Sequence, residues 1–121
     1  MVKALFDTNI LVDYLNSVPQ ARTEIDRYHD RFISVMTWME VMNGAAPSLE
    51  AATRSFLEGY SVVHIDDAVA NESMALRRKH RIKLPDAIIW ASARVHSMVL
   101  VSRNTKDFPP GDPGVRMPYR I

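Results

Sequence analysis

The feature that most constrains this chain is an alternation. Short, strongly apolar segments recur along it, and each is separated from the next by a stretch of helical character. Val2 to Phe6 reads as a buried strand closed by the turn-forming Asp7-Thr8-Asn9. Residues 10–16 supply a turn or two of helix. Pro19 then opens a second helix, with Val18, Ala21, Ile25 and Tyr28 at helical spacing. Phe32-Ile33-Ser34-Val35 is the next strand. Thr37 to Asn43 is helical and stops at Gly44, a residue suited to the left-handed position after a helix. Ser48 is expected to cap a helix reaching about Glu58, Tyr60–Ile65 is a third strand, and Asp66 caps a long helix through about His80. Pro85 starts a helix running to about Ser97, Met98–Ser102 is a fourth strand, and Val115-Arg116-Met117 is an edge strand in a tail rich in Pro and Gly. Strands separated by helices pair in parallel through right-handed crossovers, and a parallel sheet is covered on both faces. The expectation is an α/β fold in three layers, a central parallel sheet of four to five strands flanked by helices, formed by one domain over residues 1–121.

Composition narrows the chemistry. No apolar run approaches the roughly 20 residues of a membrane span, no signal-peptide pattern precedes the first strand, and there is no cysteine. The chain is therefore expected in the cytoplasm, without a membrane, and any metal it binds must take oxygen or imidazole ligands. The four histidines, His29, His64, His80 and His96, show no ligand spacing. The formal net charge is +1. Setting aside Asp7, Glu40, Asp86 and Asp107 leaves fifteen basic against ten acidic groups, a mildly basic shell suited to a polyanion.

Those four acids are the candidates for chemistry. In a parallel α/β sheet ligands bind beyond the carboxyl ends of the strands. Asp7 directly follows strand one, Glu40 lies in the first turn of the helix after strand two, and Asp107 follows strand four. Asp86 opens a helix, and the segment before it does not settle its side of the sheet. Carboxylates gathered in one place raise one another's pKa, and a divalent cation removes that penalty; Mg²⁺ and Mn²⁺ prefer such oxygen ligands. Each acid also has a plainer use. Asp7 could cap a helix, Thr37-Trp38-Met39-Glu40 has the form of a capping box, Asp86 suits a helix amino terminus, and Asp107 suits a turn. Their joint order along the chain is what carries weight.

Four segments around these acids resemble the motifs of PIN domains: Phe6-Asp7-Thr8-Asn9-Ile10-Leu11-Val12, Thr37-Trp38-Met39-Glu40, Leu84-Pro85-Asp86-Ala87-Ile88-Ile89-Trp90-Ala91, and Leu100 through Phe108. The Lys83-Leu84-Pro85-Asp86 block is most similar to VapC-like toxins of bacterial toxin–antitoxin pairs. The resemblance implies an Mg²⁺- or Mn²⁺-dependent endoribonuclease, usually a homodimer, neutralised by a cognate antitoxin. On this reading Asp7, Asp86 and Asp107 are metal ligands, and Glu40 orients or deprotonates the attacking water. Thr8, Asn9, Arg103 and Thr105 contact the RNA substrate or shape the loops that do. Many PIN domains carry an acid directly after the Asn of the fourth motif, where this chain has Thr105, and the departure bears on a second metal more than on the first. The alternative is a catalytically inactive PIN-like module that binds RNA or a partner.

Other acid-based readings fit less well. An aspartyl phosphatase of the haloacid dehalogenase kind needs an Asp where this chain has Asn9, and a phosphoacceptor receiver needs an acidic pair after strand one. With four glycines and none near a strand end, no phosphate-cradling loop exists. The run Arg77-Arg78-Lys79-His80-Arg81 with Lys83 suits either a phosphate track or the carboxyl end of a helix.

Overall fold

A computed structural model describes residues 2–121. Five strands, β1 (Ala4–Phe6), β2 (Arg31–Ser34), β3 (Ser61–Val63), β4 (Val99–Val101) and β5 (Val115–Arg116), form one sheet in the order β3-β2-β1-β4-β5. Every pairing is parallel. Six α-helices flank it: α1 (Thr8–Leu15), α2 (Pro19–Asp26), α3 (Val35–Gly44), α4 (Glu50–Leu57), α5 (Asp67–His80) and α6 (Leu84–Val95).

Side chains alternate across a strand, so each short strand feeds two cores. Leu5 and Leu100 point to one face and join Leu76, Ile89, Trp90 and Phe108 beneath α5 and α6. Ala4, Phe6, Ile33 and Val101 point to the other and join Ile10, Leu11, Ile25 and Leu57 on α1, α2 and α4. This three-layer arrangement is the expected fold. Its functional consequence comes from strand order. The chain builds outward from β1 through β2 to β3, then returns to lay β4 on β1's other side. The order reverses at β1, and a crevice opens beyond the carboxyl end of a strand where that happens. Asp7 is the next residue.

Local expectations are corrected at four points. The helix after β2 starts at Val35, because the Ser34 hydroxyl accepts the Met36 amide at 3.0 Å and caps it two residues early. Val35 is therefore helical, Thr37 is buried inside the first turn instead of capping it, and Glu40 falls in the second turn. Ser48 caps nothing; Pro47 draws residues 47–49 into a 3-10 turn, and α4 begins at Glu50 without a side-chain cap. Gly44 ends α3 within ordinary helical geometry, and the positive-φ positions are Ser17, Arg81 and Ser97, each just past a helix. The edge strand stops at Arg116, short of Met117. Among the described residues no helix is long and apolar enough to cross a membrane.

Candidate active site

Asp7 occupies the switch point. Its backbone amide donates to Val101 O at 2.9 Å, continuing the β1–β4 ladder, and its extended backbone then hands the chain to α1. The carboxylate is buried. Oδ1 accepts the Thr8 amide at 2.7 Å; Oδ2 accepts the Ser102 hydroxyl at 2.6 Å and the Asn9 side-chain amide at 3.1 Å. No cationic side chain pairs with it among the described residues. Burial therefore pushes its pKa up to about 6, against the Ser102 and Thr8 bonds and with help from the charges of Asp86 and Glu40. A cap alone does not account for this, since Asp7 reaches only the first amide of α1 and gains no countercharge.

Glu40 and Asp86 line the same cleft, an open space of about 360 Å³ that also takes in Thr8, Asn9, Asp13, Arg103 and Asn104. The Thr8 hydroxyl donates to Glu40 Oε1 at 2.6 Å and lies 3.0 Å from the Thr37 hydroxyl, which ties the start of α1 to the first two turns of α3. Asp86, in the first turn of α6, has its pKa raised by burial, then by Asp107 and Glu40, with Lys83 opposing. So α6 delivers its amino end to the carboxyl rim of the sheet, the point the sequence left open for Asp86.

The remaining predicted site residues divide. Asp107 acts on Asp86 through its charge but does not line the cleft; Asn104 does. Asn104 donates its side-chain amide to Asp107 Oδ2 at 3.0 Å and accepts the Asp107 amide on Oδ1 at 3.1 Å, which locks the fourth-motif loop. Arg103 lines the cleft with its guanidinium already bound in two-pronged fashion to Asp13, at 2.6 and 2.9 Å, while its backbone amide donates to Asn9 Oδ1 at 3.3 Å. Thr105 is exposed and outside the cleft. Sequence reasoning missed Ser102, Asn104 and Asp13. Ser102 had a usable signal, for it follows β4 as Asp7 follows β1. Asp13, an acid in the apolar stretch Ile10–Leu15, gave a weaker one.

Among the described residues no three acidic or imidazole side chains already surround one point as ligands. Asp7, Glu40 and Asp86 nonetheless share one cleft, and every acidic donor there is a hard oxygen. Mg²⁺ is commonly held by one or two carboxylates and keeps several waters. The donor set fits such a hydrated hard cation and does not fit one caged wholly by protein. A larger cleft, of about 570 Å³, lies at the opposite rim beside Met98 and Gly114. Its charged groups are spoken for, Arg94 pairing with Glu72 at 2.9 Å and Asp112 at 3.9 Å.

A parallel α/β sheet with carboxylates gathered at its switch point defines the class of protein by its architecture. Residues 4–109 match the PIN domain family, and the chain belongs to that family. Within it the chain is VapC-like. A chain of a toxin–antitoxin complex from Klebsiella pneumoniae is 45% identical with a TM-score of 0.93, over 98% of this chain and 100% of that one. A chain of DNA-bound VapBC from Salmonella typhimurium is 25% identical with a TM-score of 0.77, over 96% of each. FitAcB from Neisseria gonorrhoeae, at 22% identity and a TM-score of 0.81 over 98% of this chain and 99% of that one, shares the fold. A comparison with curated proteins gives no match. PIN-domain toxins are in general nucleases, hydrolases of phosphodiester bonds.

Proposed function

We propose that the chain is an Mg²⁺- or Mn²⁺-dependent endoribonuclease and the toxin of a VapBC-type pair, with a cognate antitoxin as its protein partner and a homodimer as its assembly. The observation that carries this reading is a buried carboxylate, Asp7, left without a countercharge and facing two further acids, Glu40 and Asp86, across one cleft at the switch point. Such a group destabilises the empty protein, and a hard cation offsets that penalty. The antitoxin assignment extends to this chain what its Klebsiella and Salmonella relatives assemble with.

Asp7 and Asp86 are the residues that would hold the cation directly, with Asp107 acting through water. When bound, the cation supplies charge stabilisation at the scissile phosphate and acidifies water. The rest falls to the chain. Ser102 and Asn9 fix the rotation of the Asp7 carboxylate by occupying Oδ2. Thr8 occupies Glu40 Oε1, so the Glu40 oxygen that remains to take a proton from the attacking water is Oε2. Asn104, Thr8 and Asn9, which line the cleft, would bound the space for a phosphate. The product is a strand with a 5′-phosphate and one with a 3′-hydroxyl.

The test is cleavage of a structured RNA by purified protein with Mg²⁺ or Mn²⁺ and with EDTA. Cleavage that EDTA abolishes and either cation restores is expected. Full cleavage in EDTA would overturn the metal reading. Tight RNA binding with no cleavage under any cation would make the chain a binding module instead.

A further inference from the structure

The cations of this chain are not evenly committed. Arg27, Arg31, Arg54, Arg94, Arg103 and Arg116 each form an ion pair with an acid. Of the nine remaining lysines and arginines, five fall within seven residues, at Arg77, Arg78, Lys79, Arg81 and Lys83, and none of these pairs with an acid among the described residues. From Ser73 to Pro85 the chain carries no acid at all.

Topology places this run beside the cleft. Helix α5 ends at His80 and α6 begins at Leu84, so the carboxyl end of one and the amino end of the other meet in a three-residue turn. Asp86, two residues into α6, lines the cleft, and the charge of Lys83 acts on it. The bland explanation is that cations complete the negative end of a helix. That accounts for the last turn of α5 but not for Arg81 and Lys83, which lie beyond it. Arg81 also stands in the left-handed region, at φ 55°, where glycine would sit without steric penalty. His80 is different, because it is half-buried and its ring packs on Trp90 with centroids 4.7 Å apart.

We infer that the α5–α6 turn is the surface over which the RNA backbone leaves the cleft, with Arg77, Arg78 and Arg81 each neutralising a phosphate beyond the cleavage site and Lys83 the one nearest to it. The inference rests on the ribonuclease reading and adds to it a path for the strand and a length dependence. An RNA short enough to end within the cleft gains nothing from the turn; a long one gains several charge contacts. Each contact releases counterions, and for single strands the slope of log K against log salt changes by about 0.7 per phosphate.

The experiment compares wild type with Arg77→Gln/Arg78→Gln/Arg81→Gln, using a long unstructured RNA and an oligonucleotide of a few residues. The triple variant is expected to raise KM for the long RNA at least tenfold, to change cleavage of the oligonucleotide by less than threefold, and to flatten the salt slope by about 2. Arg77→Lys/Arg78→Lys/Arg81→Lys restores most of the affinity, since a phosphate track needs charge more than guanidinium shape. Circular dichroism melting confirms that each variant is folded. Unchanged KM and slope in a triple variant that still cuts RNA would overturn this inference alone. Unchanged RNA affinity with weakened binding of polyglutamate would assign the turn to an acidic protein partner and also overturn it. Wild type that neither cuts nor binds RNA would remove the ribonuclease reading itself.

Discussion

Two carboxylates in this molecule are equally hidden from water and electrostatically opposite. Asp7 is 5% exposed and Glu24 is 4% exposed. Burial alone would raise the pKa of both. Glu24, on α2, receives Arg116 on both oxygens at 2.7 and 3.0 Å and the Tyr28 hydroxyl at 3.0 Å, with Arg27 at 3.7 Å, and these hold its pKa below the ordinary carboxylate value. Asp7 has hydrogen bonds but no cation, faces two further acids, and rises to about 6. Burial therefore does not separate these two acids. The missing countercharge does, and at Asp7 it is missing where the strand order reverses.

The largest effects expected from breaking this contrast are on catalysis. Asp7→Asn or Asp86→Asn should each lower kcat for RNA cleavage by at least about 10³-fold, the scale seen when a group acting on the reacting atoms is lost, with folding retained. Glu24→Gln should leave kcat within a few-fold while costing about 2 kcal/mol of stability, because Arg116 loses its partner but is partly exposed. Urea denaturation of the two sets separates them. An Asp7→Asn enzyme with near-normal turnover would end the distinction.

The pH dependence of the metal-free protein sharpens the contrast. Asp7 has a folded pKa raised from 3.8 to about 6, so between those values the folded state keeps a proton the unfolded state has released. Its penalty is absent below about 3.8, grows through that window, and is fully present above about 6, where it amounts to about 3 kcal/mol at 1.36 kcal/mol per unit. Glu24 has the opposite sign: its contribution is present above 4.5 and is lost as pH falls from there through its lowered folded pKa. Metal-free wild type should thus gain less stability than Asp7→Asn between pH 4 and pH 7, by up to that amount. Mg²⁺ should restore stability at pH 7 to wild type and not to Asp7→Asn. Parallel stability curves would mean that the Asp7 charge is relieved by something else.

What the sequence revealed follows from the range over which each signal acts. The short buried strand ending at Phe6, and the cap at Asp66, are local, and both appear in the structure. The meeting of Asp7 and Glu40 was legible from the carboxyl-end rule, without any knowledge that β1 lies at the centre of the sheet; the same rule left the side of Asp86 open and gathered in Asp107, which does not line the cleft. The start of α3 was misplaced because β-branched Val35 reads as strand, whereas one serine hydroxyl at 3.0 Å decided the boundary. Arg103 was read as a substrate contact, and nothing local shows that it is bound by Asp13, ninety residues away along the chain. Fixed partners at that separation come only with the fold.

Asp13 stands between the two extremes and gives the smallest expected effect. It is buried like Glu24 and neutralised like it, by Arg103, yet it lines the cleft as Asp7 does. The Tyr119 hydroxyl, from the last residues of the chain, donates to Asp13 Oδ2 at 2.8 Å. If this cluster belongs with Glu24, Tyr119→Phe removes one hydrogen bond from a carboxylate that keeps its cation, and should cost about 1 kcal/mol, roughly 4 °C in melting temperature, with kcat and KM unchanged. Asp13→Asn goes further, because it loosens the guanidinium of Arg103, whose backbone amide holds Asn9 and through it the Asp7 carboxylate. A several-fold fall in kcat is expected there, with KM for RNA equal or lower as a freed cation meets phosphate. Measured side by side, the two variants place Asp13 on one side of the comparison. Turnover lost equally in both would show that the chain's carboxyl end sets the geometry of the cleft, and that the structural and functional acids of this protein form one connected unit.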